Sequence, residues 1–172
     1  MRLGQFQDAL EVLEFDYPQS PANEMEPSVP DPSKHVSLWY YRAYCRSRTG
    51  VTFTGELQKA ASLSTTYVFP SRAASIEILQ GRWLPGTTRP DANMQYLNAL
   101  LLLSARRTDE AITALDLLRT QRPNLPALHR TLGRVWLDIK GDKAKALPIL
   151  QEGLRYEPAN TDLQDAIRRA QR

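Results

Sequence analysis

The chain has 172 residues, is 42% hydrophobic and 24% charged, and carries a formal net charge of +3. That length suits one compact domain or a short repeat array, and the composition excludes a disordered or fibrous protein. Residues 1 to 90 hold nine basic and nine acidic side chains, so the small excess lies in the C-terminal half and gives no concentrated basic face for nucleic acid.

The opening MRLGQFQDALEVLEF lacks the uninterrupted apolar core of a signal peptide. Gly4, Phe6, Ala9 and Leu13 match the turn-then-helix portion of a helical repeat whose first helix is missing, so residues 1–16 read as a half repeat. Such an opening suggests a segment of a longer protein, which would have lost any targeting sequence; a complete chain would favour the cytoplasm. Residues 17–33 contain five prolines and few large apolar groups, the composition of an extended or mobile loop.

KHVSLWYYRAYCRSR then predicts a tyrosine-rich helix. Its Cys45 is the only cysteine, which excludes an intramolecular disulfide and a cysteine-based zinc site. It shares a helical surface with Tyr41, Tyr44 and Arg48 and reads as a small packing residue. A shorter helix follows near Glu56 to Leu63, and another begins around Pro70. Residues 34–90 are therefore helical but irregular, with one helix fewer than regular repeats require.

After residue 90 the pattern is regular. One helix is expected from about Asp91 to Ala105 and a second from Thr108 to Thr120, where Asp109 and Glu110 suit the positive end of the helix dipole. The run ALLLL at 99–103 is the longest apolar stretch, far short of the roughly 20 residues that cross a bilayer, so no membrane span is expected. In LPALHRTLGRVWLDIKG, Leu128, Leu132, Val135, Trp136 and Ile139 recur on one helical stripe. The next helix starts with Asp142 as N-cap, turns Ala146, Leu147, Leu150 and Leu154 inward, and carries Pro148 in its second turn, where losing a donor costs least. Residues 159–172 read as a capping helix: Thr161 and Gln164 fit a capping box, and Leu163, Ala166, Ile167 and Ala170 form a narrow apolar stripe.

DEAITALDLLRTQRP, at 109–123, is answered 35 residues later by AKALPILQEGLRYEP, with Ala146 matching Ala111 and Pro158 matching Pro123. Ala9 lies three periods of about 34 residues before Ala111. These features resemble tetratricopeptide repeats. The residues that carry the resemblance are Ala99, Leu102, Ala111, Leu115, Leu118 and Pro123 in one unit, and Gly133, Trp136, Ala146, Leu150, Gly153 and Pro158 in the next. The first unit departs from the family pattern at Gln95 and Asn98, where large apolar residues are usual. The second has one extra residue in its inter-helix turn. The resemblance implies an all-α fold, a tetratricopeptide-like α-solenoid of antiparallel helix pairs, irregular in its first half. It would form a single helical-repeat domain over 1–172, with two repeats spanning 91–158. WYYRAYCRSRTG, TYVFPSRAASIEIL and MQYLNALLLLSARRTDEA together also look like the C-terminal repeat region of a family of large, uncharacterised bacterial proteins. Those proteins have an upstream domain similar to mutarotase-like, carbohydrate-binding β-folds, and this likeness implies a bacterial origin.

No HExxH, GxSxG or phosphate-loop pattern occurs, and His35 and His129 lack partners at metal-ligand spacing. The sequence therefore points to no enzyme, metal or cofactor. The resemblance instead implies a concave groove lined by the first helix of each pair. Its positions carry over to Asn93, Tyr96, Leu100, Leu103 and Ser104 on one helix, and to Ala127, Arg130, Arg134, Leu137 and Asp138 on the next. On the tyrosine-rich helix they carry over to Tyr40, Tyr44, Ser47 and Arg48, although only one face of that helix can line a groove, so the tyrosine cluster is expected to be partly core. Arg130 and Arg134 are one turn apart, so both guanidinium groups could reach one carboxylate. In some family members basic residues at these two positions clamp a C-terminal carboxylate, with asparagines on earlier helices. Leu100 stands where one such asparagine would be, so the expectation here is the weaker one of a preference for acidic or carboxylate-bearing peptide. The alternative is that both arginines are solvated or pair with Asp138 and neighbouring acids, leaving an ordinary polar surface. The alternative readings are a spacer supporting an upstream domain, and self-association of the chain into a homo-oligomer through residues 1 to 16.

Overall fold

The structure, a computed structural model, describes residues 3–15, 31–66, 68–70, 73–86, 88–125 and 127–172, with side chains from residue 5. Most of the proline-rich stretch, as far as residue 30, lies outside the described residues. Among those described, nine α-helices and no strand are present. The chain divides into two compact units, Met1–Ser64 with Pro70–Asn93, and Thr65–Phe69 with Met94–Arg172.

In the first unit, helices α1 (Leu3–Glu14), α3 (Thr54–Ser62) and α4 (Ala73–Gln80) pack on the central α2 (Val36–Thr49). A 3-10 turn, Pro32–Lys34, leads into α2 and is capped by Asp31, whose side chain accepts from Ser33 N at 2.9 Å. Gly50, at φ 76°, ends α2 in the left-handed conformation that closes many helices. Because α2 meets neighbours on several sides, its buried set is wider than one stripe: Val36, Tyr40, Ala43, Tyr44 and Cys45. Phe6 meets the Tyr44 ring edge-on at 5.7 Å, and Tyr44 meets Trp83 in the same way at 5.5 Å, arrangements that the ring quadrupoles favour. Arg42 donates through Nε to the Leu13 carbonyl at 2.8 Å, satisfying a last-turn acceptor of α1. Cys45 is buried, as a small packing residue should be, and burial pushes its thiol pKa up.

The second unit is built on α5 (Ala92–Ser104), α6 (Thr108–Gln121), α7 (Leu128–Arg134), α8 (Lys143–Tyr156) and α9 (Thr161–Gln171). Consecutive helices pack from α6 to α9, and α9 also touches α7. Two glycines set how closely they approach. A Cβ on Gly133 of α7 would land inside the buried Leu150 side chain of α8. One on Gly153 of α8 would lie 2.5 Å from the His129 Cβ and 3.3 Å from a methyl of Leu163 on α9. Ala146, Leu150, Leu163, Ala166 and Ala170 form the buried cluster at these crossings, with Trp136, Leu147, Leu154 and Ile167 packed around it. Ile149 is buried as well, beyond the expected stripe.

Two details differ from the sequence reading. Asn160, not Thr161, caps α9: its Oδ1 accepts from Leu163 N at 3.1 Å, while Gln164 reaches back to the Pro158 carbonyl instead of closing a capping box. Ile139 leaves the core stripe and is 57% exposed. Its helix continues beyond α7 as a π-helical turn over Val135–Ile139, closed by Lys140 N to Val135 O at 3.0 Å. A π turn holds one residue more than an α turn. Gly133 and Ala146 stand one residue further apart than Ala99 and Ala111, and the π turn that contains Ile139 holds that residue within the helix. Asp142 does cap α8, accepting from Lys145 N at 2.9 Å, and Pro148 sits exposed in the second turn.

Gly133→Ala and Gly153→Ala should each lower stability by about 1–3 kcal/mol through overpacking, read as a fall in urea midpoint by circular dichroism. A second outcome concerns alkaline pH. Burial first, and then the hydrogen bond to Glu77, raise the Tyr44 pKa from 10.0 to about 12. The fold therefore favours the neutral phenol, and this contribution is complete below pH 10 and lost as pH rises towards 12. Tyr44→Phe should flatten the decline in unfolding free energy measured between those two pH values.

Candidate functional site

The second unit contains an open cavity of about 440 Å³ that combines apolar walls with charge. Leu100 and Leu103 of α5 form one wall, and Val135 and Ile139 of the π turn form another. Tyr96, buried among them, shares a 2.8 Å hydrogen bond between its hydroxyl and that of Thr131, tying α5 to α7; burial raises its phenol pKa. Charge enters from the α7 side. Arg130 is only 8% exposed and donates to Asp162 of α9 at 3.1 Å. Arg134, one turn further along, is exposed and donates through Nε to Asp138 at 3.3 Å. Asp138 also accepts from Arg169 of α9, so one carboxylate is shared by two guanidinium groups.

The cavity therefore collects Tyr96, Leu100, Leu103, Arg130, Arg134 and Asp138 from the expected groove positions. The two arginines do not converge on one point in the structure, because each is held by a different aspartate of the chain itself. Arg130, Arg134, Asp138 and Asp162 line the cavity, and Arg169, outside that lining, shares Asp138 with the exposed Arg134.

Other expected groove residues sit elsewhere. Tyr40 is fully buried in the first unit and donates its hydroxyl to Asp91 at 2.6 Å. Tyr44 is buried between Phe6 and Trp83, and Arg48 stacks over the Phe6 ring at 5.5 Å. Asn93 is buried with its amide donating to the carbonyls of Ala60 (2.9 Å) and Leu63 (2.8 Å) at the end of α3, where Ala60 O also accepts from Leu63 N. The first unit also has an apolar cavity of about 430 Å³ beside Cys45, Tyr41 and Tyr44. Its tyrosine hydroxyls are already paired, with Ser75 and Glu77 respectively.

His129, the buried histidine of α7, serves packing. Its Nε2 lies 2.6 Å from the Pro123 carbonyl and must donate, and its ring stacks on Tyr156 at 5.4 Å. Among the described residues, no cluster of three His, Cys, Asp or Glu side chains is placed to hold a metal ion, and no helix is long and apolar enough to cross a membrane.

The feature that sequence reasoning missed is a fourth wall from a connector. Thr65, Val68 and Phe69 border the same cavity, although the chain on either side of Thr65–Phe69 belongs to the first unit. Val68 N donates to Thr65 O at 3.1 Å, closing a turn. Val68 is 7% exposed, whereas Phe69 is 72% exposed at the rim. The Thr65 hydroxyl is buried with no hydrogen-bond partner among the described residues. Burying a valine side chain stabilises by about 1.5–3 kcal/mol. An unsatisfied buried hydroxyl costs about 1–3 kcal/mol. The sequence signal was an apolar Val-Phe pair in a short segment between helices.

Comparison of the chain with protein-family models, curated proteins and solved structures gives no match. Thr65→Val, which removes the unsatisfied hydroxyl while keeping the side-chain shape, should raise stability by about 1 kcal/mol, measured as an increased urea midpoint.

Proposed function

We propose that the chain is a tetratricopeptide-like interaction module whose second unit binds a peptide with an apolar anchor beside a carboxylate. In this reading its helices stack as a solenoid of antiparallel pairs, and the groove is the concave face of the last two repeats. The repeat pattern supports this, since at the matching positions Gly133 and Gly153 the neighbouring side chains, Leu150 and His129, leave no room for a Cβ. The observation that carries the ligand chemistry is the pairing of an apolar mouth, Leu103 and Ile139, with the Asp138 carboxylate shared between Arg134 and Arg169. A carboxylate from a partner would give one guanidinium an acceptor of its own, in a charge-assisted hydrogen bond. The apolar walls would meanwhile cover an aliphatic or aromatic side chain, the anchor-plus-rim arrangement typical of recognition surfaces. No catalytic chemistry is assigned to the site.

The test is fluorescence anisotropy with a panel of pentapeptides ending in Leu, Val or Phe, each with a free or an amidated C-terminus. Acid-terminated peptides should bind, and amidation should weaken binding about tenfold or more, the worth of one charge-assisted bond. Arg134→Ala should cause a similar loss for the acids and little change for the amides. Ile139→Glu should abolish binding of both. Binding unaffected by amidation and by Arg134→Ala would remove the carboxylate from the proposal; absence of binding throughout would favour a spacer.

A further inference from the structure

We propose that the π turn over Val135–Ile139 is the specificity-determining element of this groove: it takes Ile139 out of the core and stands it beside Val135, where it selects a branched aliphatic anchor over a small one. The inference rests on the groove being a peptide site, and it names the part of that site that reads the anchor.

In an α-helix each residue advances about 100°, so a row of side chains four apart drifts round the axis by about 40° at every step. Ile139 follows Leu132 by seven residues, a spacing that puts two side chains on one face of an α-helix, and Leu132 is fully buried. An α-helix continued through residue 139 would therefore bury Ile139 with Leu132. Instead Ile139 is exposed and borders the cavity with Val135, four residues before it. The π turn accounts for the difference. Lys140 N donates five residues back, to Val135 O at 3.0 Å, and Asp142 N six residues back, to Trp136 O at 2.8 Å. Each residue in the wider turn advances less, which cancels the drift. Two rows consequently follow the cavity side by side: Arg130, Arg134 and Asp138 in one, Thr131, Val135 and Ile139 in the other. A ligand side chain seated against Val135 and Ile139 thus lies next to the charged row.

The turn is fixed from three neighbouring helices. Lys140 pairs with Asp109 of α6 at 2.5 Å, Lys145 of α8 lies 4.2 Å from the centre of the Trp136 ring, and Asp138 accepts from Arg169 of α9. Because π turns are rare, these tertiary contacts rather than local preference hold this one. The preceding repeat, one residue shorter between Ala99 and Ala111, runs α-helical to Ser104 without such a turn.

The probes are two fluorophore-labelled pentapeptides with free C-termini that differ only in the last residue, Leu or Ala. They are titrated against the full chain, against a variant lacking Lys140, and against Lys140→Ala and Ile139→Ala. Wild type should bind the Leu peptide about tenfold tighter than the Ala peptide. Without Lys140 the helix runs α-helical into Gly141 and Ile139 returns to the core, so the preference should fall to near unity. Lys140→Ala loses the ion pair with Asp109 but keeps the length, and should retain the preference. Ile139→Ala should lose the preference yet keep the weakening on C-terminal amidation, because Arg134 is untouched; a general disturbance of the groove would remove both. A preference retained in the deletion variant, or absent from wild type, would overturn the inference while the peptide site stands. If the deletion variant does not fold by circular dichroism, Ile139→Ala decides, and an unchanged preference there would overturn the inference. Absence of binding by every acid-terminated peptide would remove the peptide site, and the inference with it.

Discussion

The architecture of the second unit depends on two missing Cβ atoms. Gly133 and Gly153 let α7, α8 and α9 approach until Leu150, His129 and Leu163 fill the space a side chain would take. That closeness brings Asp162 and Arg169 of α9 to Arg130 and Asp138 on the α7 segment, which is how charged groups from separate helices come to share one cavity. With wider spacing, such as an alanine at either crossing would impose, those ion pairs would be strained or lost. Close packing in the core and charge placement at the groove are therefore one constraint.

The π-helical turn shows how an extra residue can be accommodated without disturbing that spacing. A loop insertion would have left the helix unchanged and lengthened the connection to α8. The structure instead widens the last turn over Val135–Ile139, so Gly133 keeps its crossing and Asp142 keeps its cap on α8. The residue that pays is Ile139, which moves from a predicted core position to the groove mouth. There it borders a cavity with Leu100, Leu103 and Phe69.

The electrostatics of the groove are balanced except at one end. Arg130 is nearly buried and held by Asp162, so its role is to order the wall. Arg134 and Arg169 divide a single carboxylate and stay exposed. The expected pair of adjacent arginines acting together is thus replaced by a buried cation held by Asp162 and an exposed one that shares Asp138. Spacing along a helix shows that two side chains share a face; it does not show which acids on other helices will reach them first.

Helix positions after residue 90, the caps at Asp142 and at the start of α9 to within one residue, and the inward faces of α8 and α9 were legible in the sequence, because local hydrophobic periodicity and capping chemistry act over a few residues. The all-helical class followed from the same local signals. That the tyrosine-rich helix is partly core was legible; which of its tyrosines would be buried was not. Its apolar groups surround it, and only the arrival of α1, α3 and α4 decided that Tyr40 and Tyr44 are core. Nor could periodicity reveal that Thr65, Val68 and Phe69 line a cavity with residues some thirty to ninety-five positions later. Local pattern determined which segments are helical and which face each turns inward. The tertiary structure alone decided which faces meet, since burial of a side chain depends on what packs against it and not on its neighbours in the chain.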